Sequence, residues 1–91
     1  VSILATFVAN QLAERIKYFP NPTNEKVQID LGILLEQFEI QVNSANGQLV
    51  YQESFVGTNT FTVDLIGAKG YYFISIIQAN ELLATLKVEK M

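Results

Sequence analysis

A chain of 91 residues with a net charge of −3 has room for one domain and not for two. Hydrophobic residues make up 49% of it and charged residues 16%, enough apolar side chain for a packed core and too little charge for wholesale disorder. The basic residues Arg15, Lys17, Lys26, Lys69, Lys87 and Lys90 are scattered, which excludes a phosphate-binding stripe and nucleic acid as a partner, and the lack of Cys and His excludes disulfides, thiolate metal sites and imidazole catalysis.

Residues 1–17 carry a mixed signal. Leu4, Val8, Leu12 and Ile16 recur at helical spacing, while the Val, Ile, Thr and Phe of residues 1–8 suit a strand. A third reading treats the segment as a linker plus the end of a preceding domain. The apolar run 1–9 is too short to cross a bilayer and has neither a basic leader nor a processing pattern, so it is read neither as a membrane span nor as a signal peptide. The domain itself is expected over residues 18–91.

From Ile16 onward the pattern is that of strands. Tyr18 and Phe19 lead into a corner, Pro20-Asn21-Pro22-Thr23-Asn24, where each proline fixes φ and the asparagines are expected to bond the local backbone. Residues 26–31 alternate, with Val27, Ile29 and Leu31 on one side, and Gly32 is expected to close that strand. Phe38, Ile40 and Val42 alternate inward in the next. Asn46-Gly47 then joins it to residues 48–52 in a hairpin whose two turn residues tolerate positive φ.

Phe61, Val63 and Leu65 form the inward set of a further strand. Residues 71–78 are apolar on both faces, which predicts a central strand; Tyr72 aligns with Ile74 and Ile76, so core packing is expected over a sugar- or base-stacking platform at Tyr71-Tyr72-Phe73, with Tyr71 the one ring that exposure would leave for a ligand. After a tight turn at Ala79-Asn80-Glu81, the last segment is expected to turn Leu82, Ala84, Leu86 and Val88 to one face. About seven short strands with turns every 8–12 residues predict an all-β fold, an Ig-like antiparallel β-sandwich, with a small barrel as the alternative.

Catalytic chemistry finds no foothold. The carboxylates sit mostly on the solvent side of strands, as at Asp30, Glu39 and Glu89, and Ser44, Ser54 and Ser75 have no histidine to activate them. No phosphate-cradling loop or calcium-loop motif is present, so no enzyme activity, cofactor or metal is expected.

Four segments taken in order are more specific than any of them singly. Tyr18-Phe19-Pro20-Asn21-Pro22-Thr23-Asn24 resembles the YPNPT opening of type A C-terminal sorting domains of the type IX (Por) secretion system, found in Bacteroidetes. Ile40-Gln41-Val42 with Asn46-Gly47-Gln48-Leu49-Val50-Tyr51 resembles their I-x-V…G-(K/Q)-L-V-Y block. Val63-Asp64-Leu65 followed by Gly70-Tyr71-Tyr72-Phe73-Ile74-Ser75-Ile76 is similar to V-D-L…G-x-Y-x-(V/I)-x-I, and Leu86-Lys87-Val88-Glu89-Lys90 to the closing basic–apolar segment. Glu25 stands where the family usually has glycine, and the last turn lacks the common Asn-Gly.

The resemblance implies a folded Ig-like domain at the C-terminal end of a larger exported protein, with no activity of its own. Its partners would be the N-terminal cargo, the outer-membrane translocon with its shuttle, and a surface sortase that cleaves before the domain, within residues 1–17 or upstream. The cargo would pass through the periplasm and be anchored at the outer membrane and cell surface, or be released. Recognition is expected at the exposed edge and tip of the last strand, at Leu86, Lys87, Val88, Glu89, Lys90 and Met91, where an edge can accept an added strand. For Lys87 and Lys90, protection of that edge against aggregation is an equal reading. Pro20, Asn21, Pro22, Gly47, Gly70 and Tyr72 are motif residues expected to hold the fold. The competing function is a structural or adhesive Ig-like module of a surface protein with no sorting role. The oligomeric state stays open, since an apolar edge offers a route to dimers.

Overall fold

A computed structural model of the chain describes residues 15–91. The expectations for residues 1–14 lie outside the described residues. All five strands are antiparallel: β1 (Lys17–Phe19), β2 (Lys26–Ser44), β3 (Leu49–Asp64), β4 (Gly70–Gln78) and β5 (Glu81–Lys90). They form one sheet in the order β1-β2-β4-β5, with β3 running along the other side of β2.

The fold is all-β, but the expected seven-strand, two-sheet sandwich becomes five strands in one curled sheet. Two pairs of predicted strands are fused. Gly32 does not end its strand: it takes φ +74° within β2, and its N–H is held by the Asp30 carboxylate at 2.9 Å. A Cβ on Gly32 would lie 3.0 Å from the Arg15 carbonyl oxygen, so both backbone conformation and space demand glycine here. The β2–β3 register slips between Asp30 and Leu35, and β3 makes its own bend through Gly57, φ +60°. Local turn chemistry thus bends two long strands where it was expected to end four short ones.

The bends bring the two halves of the curl over a shared core. Val27, Ile29 and Leu31 of the first half of β2 and Ile40 and Val42 of the second are all fully or almost fully buried, as expected from alternation, together with Val63, Ile74, Ile76 and Val88. Phe38, Phe55 and Phe61 meet across the curl with ring centroids 4.9–5.6 Å apart. Such offset ring contacts add about 0.5–1.5 kcal/mol per pair beyond burial.

Both hairpins form, each with a detail alternation does not carry. At Asn46-Gly47 only Gly47 turns to positive φ. The Gly47 N–H donates to the Ser44 carbonyl at 2.9 Å and the Ser44 N–H to the Gln48 carbonyl at 2.8 Å, a three-residue loop in place of the two-residue turn expected. At Ala79-Asn80 both residues take positive φ, 52° and 66°, between the paired Gln78 and Glu81. The β4–β5 register then slips after Ile76, so that Leu83 and Ala84 are both buried and Leu82 is exposed. Leu82, expected inside, is therefore outside, because one extra residue resets the alternation.

Candidate functional site

Strand β5 lies at one rim of the sheet. Its inward side chains Leu86 and Val88 belong to the core, while Thr85, Lys87 and Glu89 point outward and Met91 is exposed. The expected recognition segment thus separates into two packing residues and a set that solvent reaches.

The rim of β5 over its last turns is not free. Thr23, from the Pro-Asn-Pro-Thr corner, makes a parallel bridge to Lys90: its N–H donates to the Glu89 carbonyl at 2.9 Å, and its carbonyl accepts the Met91 N–H at 2.8 Å. The Asn21 side-chain oxygen accepts the Glu89 N–H at 3.0 Å, and its amide reaches the Lys87 carbonyl at 3.4 Å, as does the Tyr18 hydroxyl. Asn21 was expected to bond locally. It bonds instead to a strand 66 to 68 residues further along the chain. The edge expected to accept an added strand is already paired with the corner over residues 87–91.

Thr23 is the buried polar residue of the described chain, 3% exposed. Its hydroxyl donates to the Lys26 carbonyl at 2.6 Å and accepts the Glu25 N–H at 3.2 Å, which leaves it fully satisfied. Pro20 and Pro22 flank the arrangement, exposed, each preceded by a cis peptide bond. Glu25 passes its carbonyl to the Leu65 N–H at 2.8 Å, which ties the corner to the end of β3.

A second cluster backs the first. Tyr72, buried as expected, donates its hydroxyl to the Ala68 carbonyl at 2.6 Å, four residues upstream, a bond that pins the 65–69 loop against the start of β4. Gly67, at φ +130°, lies so near that hydroxyl that a Cβ would sit 3.2 Å from it. The Lys90 ammonium donates to the Gly67 carbonyl at 2.7 Å, and Gly70 pairs with Lys90 in the ladder. Lys87 takes the other face of the strand, its ammonium 4.4 Å from the centre of the Tyr71 ring. Of the motif residues, Asn21, Gly70 and Tyr72 therefore converge with the end of β5. Gly47 keeps its bonds within the β2–β3 hairpin.

Two further features escaped the sequence reading. A groove of about 680 Å³ opens at the far end of β4 and β5, where Glu36, Glu39 and Glu81 surround Phe38, Phe55 and Leu83. On β3, Tyr51 donates a hydrogen bond to Glu53, and that bond, with the carboxylate charge, holds the phenol above its ordinary pKa. Among the described residues no cluster of three or more acidic, His or Cys side chains is arranged to hold a metal ion. Nor is any helix there long and apolar enough to cross a membrane.

Residues 17–89 match the secretion system C-terminal sorting domain family. The chain belongs to that family. The match runs from the first residue of β1 to within two residues of the end of the chain, so it takes in both the corner and the strand that the corner caps. No curated protein matches the chain. As a type IX C-terminal sorting domain, it is a signal for export to the cell surface or for secretion. Three of the motif segments, the corner, the start of β4 and the end of β5, meet in space along one closed seam, and the Gly47 hairpin lies apart from it.

Proposed function

We propose that this domain directs a protein attached to its N-terminal side through the type IX translocon to the outer membrane and cell surface, and that it has no catalytic activity of its own. The observation that carries this reading is the family match over residues 17–89, of whose motif residues Asn21, Gly70 and Tyr72 gather at the end of β5. The domain acts as a folded label: the translocon and its shuttle read the last strand, residues 86–91, and a surface sortase then cuts on the N-terminal side of the domain and anchors the cargo. Within the label, Leu86 and Val88 shape the strand from the core, Lys90 fixes the 65–69 loop, and Lys87, Glu89 and Met91 meet the partner.

A reporter carrying a signal peptide and fused to residues 1–91 tests the reading in a type IX-competent bacterium. The fusion is expected at the cell surface, accessible to added protease, while the reporter alone stays in the periplasm. A fusion that also stays in the periplasm contradicts the reading. Removing residues 86–91 is the poorer test, because it takes Leu86 and Val88 out of the core and unfolds the label along with deleting its tip.

A further inference from the structure

We propose that the export machinery holds this domain by the outward side of β4 and β5, centred on Lys87 and Tyr71, and not by strand addition along the rim of β5. This rests on the sorting function given above. A strand arriving at residues 87–91 would have to displace the Thr23–Glu89, Met91–Thr23 and Asn21–Glu89 hydrogen bonds. What β5 offers without such a loss is its side chains.

The outward side has a composition that water alone does not call for. Alternation turns Tyr71, Phe73 and Ser75 of β4 and Thr85, Lys87 and Glu89 of β5 to that face, and the register sets Phe73 directly opposite Lys87. Tyr71 is 45% exposed and Phe73 half-buried, so two aromatic residues, two apart on β4, share an otherwise polar strip that continues onto Gln41 and Asn43 of β2. The Lys87 ammonium stands over the Tyr71 ring at 4.4 Å and, among the described residues, has no carboxylate in ion-pairing range. A cation held on a ring face keeps its charge while losing much of its side-chain freedom, so less ordering remains for a partner to impose.

Charge selects the partner. Lys87 is the basic residue of this face and Glu89, opposite Tyr71, its acidic one, while Lys90 turns to the other side to hold Gly67 and the groove at the far end carries Glu36, Glu39 and Glu81 and no basic residue. The protein that holds this face therefore presents a carboxylate to Lys87 and a hydrogen-bond donor to Glu89, beside an aromatic or aliphatic surface that covers Tyr71 and Phe73. Buried ring contacts with a central charged pair are the arrangement in which a few residues dominate an interface.

The test compares reporter fusions to the intact domain, to Lys87→Glu, to Lys87→Met, to Tyr71→Ala and, as a control at the far end, to Glu81→Lys. Surface-exposed reporter is measured in the type IX-competent bacterium, and thermal melting of each purified domain is measured alongside. Lys87→Glu and Tyr71→Ala are expected to lower surface reporter about tenfold or more with melting little changed, and Glu81→Lys to leave it at the intact level. Lys87→Met, which keeps the apolar stem over the ring, separates charge from packing and is expected to fall between the two. Export of Lys87→Glu and Tyr71→Ala at the intact level overturns the surface. A loss with Tyr71→Ala alone overturns the carboxylate partner. An intact fusion retained in the periplasm rejects the sorting function itself, and this surface with it.

Discussion

The sheet has two rims, and they are finished in opposite ways. At β5 the corner at Asn21 and Thr23 pairs with the strand through backbone and side-chain bonds, and Lys90 and Tyr72 brace the loop behind it. At β3, which pairs only with β2 among the described strands, no second strand follows, and Leu49, Val50, Tyr51 and Val56 are all exposed. An unpaired edge is usually blunted by lysine, proline or a strong twist. The first part of β3 has none of the three except its bend at Gly57. The contrast teaches that family resemblance and structural closure are separate things: the corner, Gly70-Tyr71-Tyr72 and the end of β5 lie at the closed rim, while the Gly47–Tyr51 block runs along the bare one.

Breaking the closed rim should cost the most. Thr23→Val keeps the volume but strips the hydroxyl from the Lys26 carbonyl and the Glu25 N–H inside the corner. A loss of about 1–3 kcal/mol is expected, the penalty for leaving buried polar groups unpaired, read as a lower denaturant midpoint with an unchanged slope. Tyr72→Phe removes one hydroxyl bond, to Ala68, and keeps the ring in the core. It is expected to cost about 1 kcal/mol, and a smaller drop than Thr23→Val in the same titration ranks the two clusters. At the bare rim, Val56→Lys adds an edge charge at a position 79% exposed. Stability there should stay within about 0.5 kcal/mol, while concentration-dependent association, followed by light scattering, should fall. A large loss of stability at Val56 would mean that the bare rim is structural after all, and the contrast between rims would collapse.

Much of this architecture could be read from residue types, because it depends on neighbours along the chain. Alternation located the inward faces of Val27, Ile29, Ile40, Val42, Phe61 and Val63, and it aligned Tyr72 with the core. Misreadings arose where a residue supports two backbone outcomes. Gly32 at positive φ serves a strand end and a bend equally well, so only the packing of the two halves decides that β2 continues. The reset at Leu83 has no signal of its own, since Leu82 and Leu83 are chemically the same and the extra residue is fixed by pairing to β4.

The candidate site divides in the same manner. Its members were legible as motifs, but their meeting was not. The bonds of Asn21 to β5 join residues 66 and 68 apart, and the clasp of Lys90 on Gly67 depends on a loop position that no local pattern specifies. In sequence, Lys87 and Lys90 read equally as recognition residues and as protection of an edge strand. In space one of them is a strut and the other lies across a ring.

One consequence of the bend in β2 reaches beyond architecture. Because this strand supplies a ladder to β1 and the far part of β3 in its first half, and to β4 and the near part of β3 in its second, no cut through the domain leaves a self-sufficient piece on either side. The domain therefore lacks the internal joint along which larger β proteins come apart in stages. Its amide protons should exchange with solvent as a single protected block, and the label is either wholly legible or wholly lost.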